Sequence, residues 1–411
     1  PASAARQWRE HGMTELQGIV RQDGRKGIRN VVCVVYLVEC AHHVARLVVS
    51  RSQSDRVHLI GFPGCYPNEY SLRIMSQLTT HPNVGGVLLI SLGCEGFNRE
   101  SLEATIRASG RPVETLVIQS EGGTQRTVDA GLDRMRSLLA QTEAPELVPM
   151  GIDELVVGTI CGGSDGTSGI TANPAVGRCF DRLVAERATC IFEETGELIG
   201  CEEIMSARAA TKELATEIDS EMSKAADYYA AMGYGSFAPG NAEGGLTTQE
   251  EKSMGAYSKS GSSEISGLIK PGDVPPSGGL FLLDVVPDGE PIFGFPNISD
   301  NAEIVELIAS GCHMILFTTG RGSVVGSAIS PVIKICANPE TYDRMAGDMD
   351  INAGKIIAGD ASVGDVGSEI YESVVAIAGG AASISEALGH QEFVLTYKRF
   401  DAIGPACLPQ R

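Results

Sequence analysis

One local pattern recurs along the chain: a short continuous apolar run, a glycine-bearing turn dense in reactive side chains, then a helix. Residues 31–38 run into Glu39-Cys40-Ala41-His42-His43, and 58–62 into Pro63-Gly64-Cys65-Tyr66-Pro67-Asn68. Residues 86–92 run into Gly93-Cys94-Glu95-Gly96, and 115–119 into Ser120-Glu121-Gly122-Gly123. Apolar runs that do not alternate are the mark of strands buried on both faces. Strands that take turns with helices build a parallel, doubly wound sheet, and such sheets bind ligands outside the carboxyl ends of their strands. The fold class expected is therefore α/β, with the chemistry gathered at strand C-terminal ends.

The second half repeats the unit in a denser form. Residues 155–160 lead into Cys161-Gly162-Gly163-Ser164-Asp165-Gly166-Thr167-Ser168, and Asn173-Pro174 reads as the cap and first position of the next helix. The glycines let a ligand approach the backbone, while Ser164, Asp165 and Asn173 supply donors and acceptors. Residues 188–192 end in Glu193-Glu194-Thr195-Gly196, and 314–317 end in Thr318-Thr319-Gly320-Arg321-Gly322. Pro145 and Pro149 mark a boundary between an N-terminal α/β domain over 13–148 and a C-terminal one over 149–411, with the active site between them. Residues 1–12 read as a flexible extension before a natural start at Met13. Residues 233–279, rich in Gly and Ser, read as a long loop of lid or binding type.

A formal charge of −20 argues against nucleic-acid binding, which needs clustered cations. It leaves room for a small anionic substrate, and cations for one are present. Arg25, Lys26 and Arg29 lie with Asn30 in a glycine-rich segment, and Arg321 and Lys334 follow later strands. Arginine offers a fork suited to carboxylate or sulfonate. No apolar run approaches the roughly 20 residues that span a bilayer. Eleven cysteines without paired extracellular spacing indicate a reducing, cytoplasmic setting. Cys33, Cys179, Cys190, Cys201, Cys312 and Cys336 lie in apolar or helical runs and read as packing thiols.

Cys65, Cys94 and Cys161 differ, because each follows a strand beside glycine. Three converging thiolates would hold a [4Fe–4S] cluster with one iron open to substrate; a mononuclear Fe2+ on His and carboxylate ligands is the alternative. His43, Glu95, Glu194 and Lys252 are the acid–base candidates by position. A metal, carboxylates and an anion clamp together suit β-elimination from a 2-hydroxy acid. A base takes the proton beside the carboxylate, and the group on the next carbon departs.

Several segments together resemble the altronate and galactarate dehydratase family. They are Asp23-Gly24-Arg25-Lys26-Gly27-Ile28-Arg29-Asn30, Leu92-Gly93-Cys94-Glu95, Cys161-Gly162-Gly163-Ser164-Asp165, Phe317-Thr318-Thr319-Gly320-Arg321-Gly322 and Asp348-Met349-Asp350-Ile351-Asn352-Ala353-Gly354. The resemblance implies an iron-dependent lyase that eliminates water from sugar acids. The chain departs from those members at Cys65, set in Gly61-Phe62-Pro63-Gly64-Cys65-Tyr66, and at Glu39-Cys40-Ala41-His42-His43. These departures, with a tail through Cys407, are most similar to the branch acting on 3-sulfolactate, which releases pyruvate and sulfite. There the resemblance implies a separate small SAF-domain subunit and a higher oligomer, with Lys26 a candidate for the sulfonate. A sugar-acid dehydratase is the alternative, and a non-catalytic paralogue a further one.

Overall fold

The computed structural model describes residues 16–233, 239–288, 299–396 and 398. The expected extension over 1–12, Met13 and nearly all of the tail lie outside the described residues. The chain opens with β1 (Gln17–Val20) and β2 (Lys26–Gly27), an antiparallel pair. Then come β3 (Val31–Tyr36), α1 (Glu39–Arg51), β4 (Val57–Gly61), α2 (Glu69–Thr79), β5 (Val84–Ser91), α3 (Arg99–Ala108), β6 (Val113–Val117) and α4 (Thr124–Gln141). The four strands β3 to β6 form a parallel sheet in the order β4-β3-β5-β6. β7 (Leu147–Pro149) returns to pair with β1.

The second sheet follows with β8 (Val156–Cys161), α5 (Ala172–Ala185), β9 (Thr189–Phe192), α6 (Lys212–Met232), α7 (Gln249–Ser258), β10 (Ile265–Ile269) and β11 (Gly279–Leu283). After these come α8 (Asp300–Ala309), β12 (Met314–Thr319), β13 (Val332–Cys336), β14 (Ile351–Asn352), α9 (Val363–Ala378) and α10 (Ile384–Leu388). Its seven strands run in the order β10-β11-β9-β8-β12-β13-β14, every neighbouring pair parallel. The expected parallel α/β architecture is present. The stretch expected as one long loop is not: it contains the helix Pro239–Glu243, then α7 and β10. Its small residues serve close packing, as where Gly255 sits against Gly169.

Each sheet is apolar on both faces, as its continuous runs require. One face of the four-stranded sheet packs Val32, Val34 and Leu88 against Val44 and Val48 of α1 and Val128 of α4. The outer face of the seven-stranded sheet packs Val157 and Leu316 against Phe180 of α5 and Val374 of α9. The remaining faces share one core, in which Val35 and Ile74 join Ile304 and Ile308 of α8, then Ile160 and Phe317. Helix α8 is thus a common layer between the two sheets.

Polar contacts fix the relative direction of the sheets. At the amino ends, the Asn83 amide before β5 donates to the His313 carbonyl before β12 at 3.1 Å. At the carboxyl ends, Tyr70 donates to Glu306 at 2.6 Å, and Lys398 donates to Glu306 at 2.8 Å and to the Val285 carbonyl at 2.7 Å. Both sheets therefore present their carboxyl edges on the same side. In each sheet the first strand in sequence (β3, β8) has its successor on one side and later strands on the other. The crevices between β3 and β5 and between β8 and β12 are thus topological switch points, where open α/β sheets bind ligands.

Candidate active site

The switch point of the larger sheet is closed by two stitched loops. Gly162 donates to the Thr318 carbonyl at 3.0 Å, and Arg321 donates its backbone N–H to the Gly163 carbonyl at 2.9 Å. Asp165 is spent on holding this loop together. Its carboxylate accepts from the Thr167 hydroxyl at 2.6 Å, the Ser168 N–H at 3.1 Å and the Asn338 amide at 2.9 Å. A third segment leans over the loop: Asn241 donates to the Ser164 carbonyl at 3.3 Å, and Arg321 donates to the Gly240 carbonyl at 2.6 Å and to Glu243 at 3.2 Å. Asn173 does not cap α5, which begins one residue earlier at Ala172. Its amide instead donates to the Gly255 carbonyl at 3.0 Å, fastening α7 to the same loop.

Beneath these loops lies a dense set of buried charges. Glu194 follows β9 with φ of +87°, a backbone conformation that costs a non-glycine residue about 1–3 kcal/mol. That geometry turns its carboxylate back to accept from the Cys161 N–H at 2.7 Å and to pair with the buried Lys259. The Cys161 sulfur lies 3.1 Å from the Ser164 hydroxyl and 3.4 Å from Glu197, whose other oxygen pairs with Lys252 at 2.5 Å. Burial, with the Glu197 charge added, pushes the Cys161 thiol up to about 11. Burial alone would lower the Lys252 ammonium, but Glu197 outweighs it and holds that pKa above the ordinary lysine value.

Helix α8 aims its amino end at the same place. A Cβ added to Gly162 would stand 2.2 Å from an Asp300 carboxylate oxygen, so the acid lies directly against the loop and a side chain there would displace it. Burial, then the nearby Glu197 charge, raises Asp300 to about 6. Glu303, one turn on, is raised by burial as well. Glu193 is buried, neither of its carboxylate oxygens has a hydrogen-bond partner among the described residues, and burial drives its pKa far upward.

The sequence reading named Glu194, Lys252, Ser164, Asp165, Asn173, Arg321 and Cys161, and the structure brings all of them to this switch point. It missed Glu193, Glu197, Lys259 and Asp300. Asp300, Glu303 and Glu306 recur every third residue on a helix whose other residues, Asn301 aside, are apolar, which was the signal available for α8. The basic segment is placed elsewhere. Lys26 donates to the Pro149 carbonyl and to Glu154 (2.7 Å each), Arg25 to the Thr80 carbonyl at 2.6 Å, and Arg29 to Glu386 at 2.6 Å and the Ile377 carbonyl at 3.0 Å. Asn30 donates to the Thr142 carbonyl at 2.7 Å. Glu154 precedes β8 and Thr80 lies just before β5, so these contacts lie at the amino ends of the strands. Crossing a six-residue strand at about 3.3 Å per residue sets them roughly 20 Å from Cys161. They tie the small antiparallel sheet and the C-terminal helices to the core. Lys334, mid-strand in β13, is buried against the Val325 carbonyl and His390. Cys65, Cys94, Glu95 and His43 line the carboxyl edge of the four-stranded sheet instead. Glu95 accepts there from the Gly93 N–H at 2.8 Å, and His43 is exposed beside Arg46.

As a metal site, Cys161, Glu194 and Glu197 present donor atoms all within 4.8 Å of one another. Both carboxylates are already matched by Lys259 and Lys252, so the charge balance of this group suits proton transfer and anion recognition. Among the described residues, Cys65, Cys94 and Cys161 do not come together at that spacing. The other acidic group, Glu221, Asp284 and Asp288, is bridged by Lys224 and Lys270. No described helix is long and apolar enough to cross a membrane.

Comparison with known proteins bears directly on this arrangement. Residues 152–400 match the C-terminal domain of D-galactarate/altronate dehydratases, and 18–143 match the second domain of D-galactarate dehydratase/altronate hydrolase. The chain belongs to the D-galactarate/altronate dehydratase family. The (2R)-sulfolactate sulfo-lyase subunit beta of Chromohalobacter salexigens is 32% identical over 397 residues, covering 92% of this chain and 96% of that one. Altronate dehydratase of Bacillus subtilis is 30% identical, covering 89% of this chain and 74% of its own length. Galactarate dehydratase (L-threo-forming) of Escherichia coli is 32% identical, covering 89% and 73%. The family is one of lyases and dehydratases, so this chain is an enzyme of that kind.

Proposed function

We propose that the chain is the large subunit of an iron-dependent lyase that eliminates sulfite from (2R)-3-sulfolactate, giving pyruvate. The observation that carries the elimination is the pairing of buried ammonium groups with a raised carboxylate at one switch point. Lys252 and Lys259 are cations in a water-poor setting, where they stabilise a substrate carboxylate or developing oxyanion strongly. Asp300, raised to about 6, is ionised at neutral pH yet basic enough to take a proton. It accepts the proton from C2, the C–H electron pair forms the C2–C3 double bond, and the bond from C3 to sulfur breaks with its pair leaving on sulfite. The resulting enol then becomes the keto acid. Lewis-acid polarisation of the substrate carboxylate and hydroxyl is the contribution iron would make when bound; of the three cysteines expected to hold it, Cys161 lies at this switch point, whereas Cys65 and Cys94 lie at the carboxyl edge of the four-stranded sheet. The likeness to a subunit named beta supports a partner subunit, for which a small SAF-domain protein is the candidate.

Sulfite as leaving group is supported by the sulfolactate-acting relative. A galactarate dehydratase of equal identity supports the second reading, loss of water from a sugar acid. The test is product formation by anaerobically prepared, iron-replete protein co-expressed with its small partner. Sulfite and pyruvate from 3-sulfolactate, with no keto acid from altronate or galactarate, is the expected outcome. Turnover of the sugar acids alone would overturn sulfite as leaving group and leave the elimination chemistry standing.

A further inference from the structure

With Lys252 and Lys259 serving the substrate carboxylate, the sulfonate is left without a receptor. Lys26, the sequence-based candidate for it, lies at the opposite ends of the strands, held by Pro149 and Glu154. The cations that the structure brings to the switch point are Lys252, Lys259 and Arg321. Each is paired with a carboxylate, respectively Glu197, Glu194 and Glu243. The three pairs differ in depth. The Glu197 and Glu194 side chains are 21% and 4% exposed, whereas that of Glu243 is 69% exposed. Exposed ion pairs contribute little to stability, so Glu243 is the partner that an incoming anion replaces most easily.

Arg321 is fixed at its base and open at its tip. Its backbone N–H donates to the Gly163 carbonyl at 2.9 Å, and the next N–H, of Gly322, donates to the Thr319 hydroxyl at 3.0 Å. At the tip a single nitrogen makes all the contacts: Nη1 donates to the Gly240 carbonyl at 2.6 Å and to Glu243 at 3.2 Å. Nε and Nη2 form the parallel pair of donors that grips a carboxylate or sulfonate. They meet no acceptor among the described residues. Arg25 and Arg29 contrast with it, since their Nε and Nη2 already grip Asp23 and Glu386. An arginine that only braces a loop closes its fork on protein groups, as those two do.

Resting on the elimination reading above, we propose that the Nε–Nη2 edge of Arg321 receives the second anionic group of a dianionic hydroxy acid, with Glu243 as the carboxylate that competes for it. That group is the sulfonate of 3-sulfolactate or the far carboxylate of a sugar diacid, and the fork suits either. The site then selects its substrate by charge at two points. A hydroxy acid with one carboxylate reaches Lys252 and Lys259 but leaves Arg321 to Glu243. The helix that ends in Glu243 is followed by α7, which carries Lys252. One stretch of chain therefore bears both the competitor at the second anion position and a cation of the first.

The experiment compares malate with lactate, both of the C2 configuration of 3-sulfolactate, by calorimetry on the iron-replete full chain with its partner. Malate carries a carboxylate where 3-sulfolactate carries its sulfonate, and that carboxylate does not leave; lactate lacks the group. Wild type is expected to bind malate more tightly than lactate. Arg321→Gln should weaken malate, and raise KM for 3-sulfolactate, by about 10- to 100-fold, with lactate unchanged. Arg321→Lys, which keeps the charge and loses the fork, should fall between. Glu243→Gln should act in the opposite direction, tightening malate by about two- to fivefold, which loss of a structural brace would not do. Unchanged lactate binding and circular dichroism guard against misfolding. No malate preference in wild type, equal loss of malate and lactate in Arg321→Gln, or unchanged or weaker malate binding in Glu243→Gln overturns the assignment. A malate preference that follows Arg321 and Glu243 in protein that turns over neither 3-sulfolactate nor galactarate would overturn the lyase reading and leave the anion position intact.

Discussion

At the scale of single residues, the site is set by which charges are left incompletely matched. Asp300 is the sharpest case, because its raised pKa works in opposite directions on activity and on stability. A base must be ionised to act, so kcat/KM should fall as pH drops through about 6. Asp300→Asn should cost about 10²- to 10⁴-fold in kcat, and its residual rate should lack that acid limb in a pH profile. The folded state binds the Asp300 proton more tightly than the unfolded chain, so this group's contribution to stability is present at low pH and is lost as pH rises towards 6. Above pH 6 the Asn variant should therefore unfold at higher denaturant than wild type, which urea titration reads directly. Lower stability together with lost activity would indicate a structural role. Little of this was legible beforehand: Glu194 stands at a glycine turn after a strand and Lys252 in the stretch expected as a long loop, whereas Asp300 and Lys259 gain their meaning only from burial.

At the scale of elements, strands and turns were readable because buried parallel strands leave long apolar runs, and those runs end where the reactive residues begin. What misled was composition. The Arg25 to Asn30 segment has the residues of an anion clamp, but its fork is turned on the protein's own carbonyls and on Glu386. Arg29→Ala should lower stability by about 2–3 kcal/mol, since it strips a half-buried carboxylate and two carbonyls of their donor. KM for the substrate should stay unchanged. A large rise in KM with unaltered stability would return the segment to the active site. The same lesson covers 239–269, where glycine and serine served close helix packing and not loop formation. Among cysteines, burial of the packing set was visible from apolar context.

At the scale of the whole molecule, α8 is the piece both halves share. Glu306, fully buried, receives Tyr70 from the four-stranded side and Lys398 from the C-terminal segment. Removing one partner of such a pair typically costs about 3–5 kcal/mol, so Lys398→Met should lower the unfolding free energy from urea titration by about that amount, with a single transition retained because the core is continuous. Two separate transitions would show that the sheets are held independently. The acids of α8 also stand in a fixed phase: Asp300 serves the larger sheet, and Glu306 reaches towards the smaller one. An α-helix turns about 100° per residue. One residue inserted or deleted between these two acids would swing one of them away from its sheet. Related sequences should then vary freely in α8's apolar side chains while keeping its length, making this helix a place where evolution can substitute but not indel.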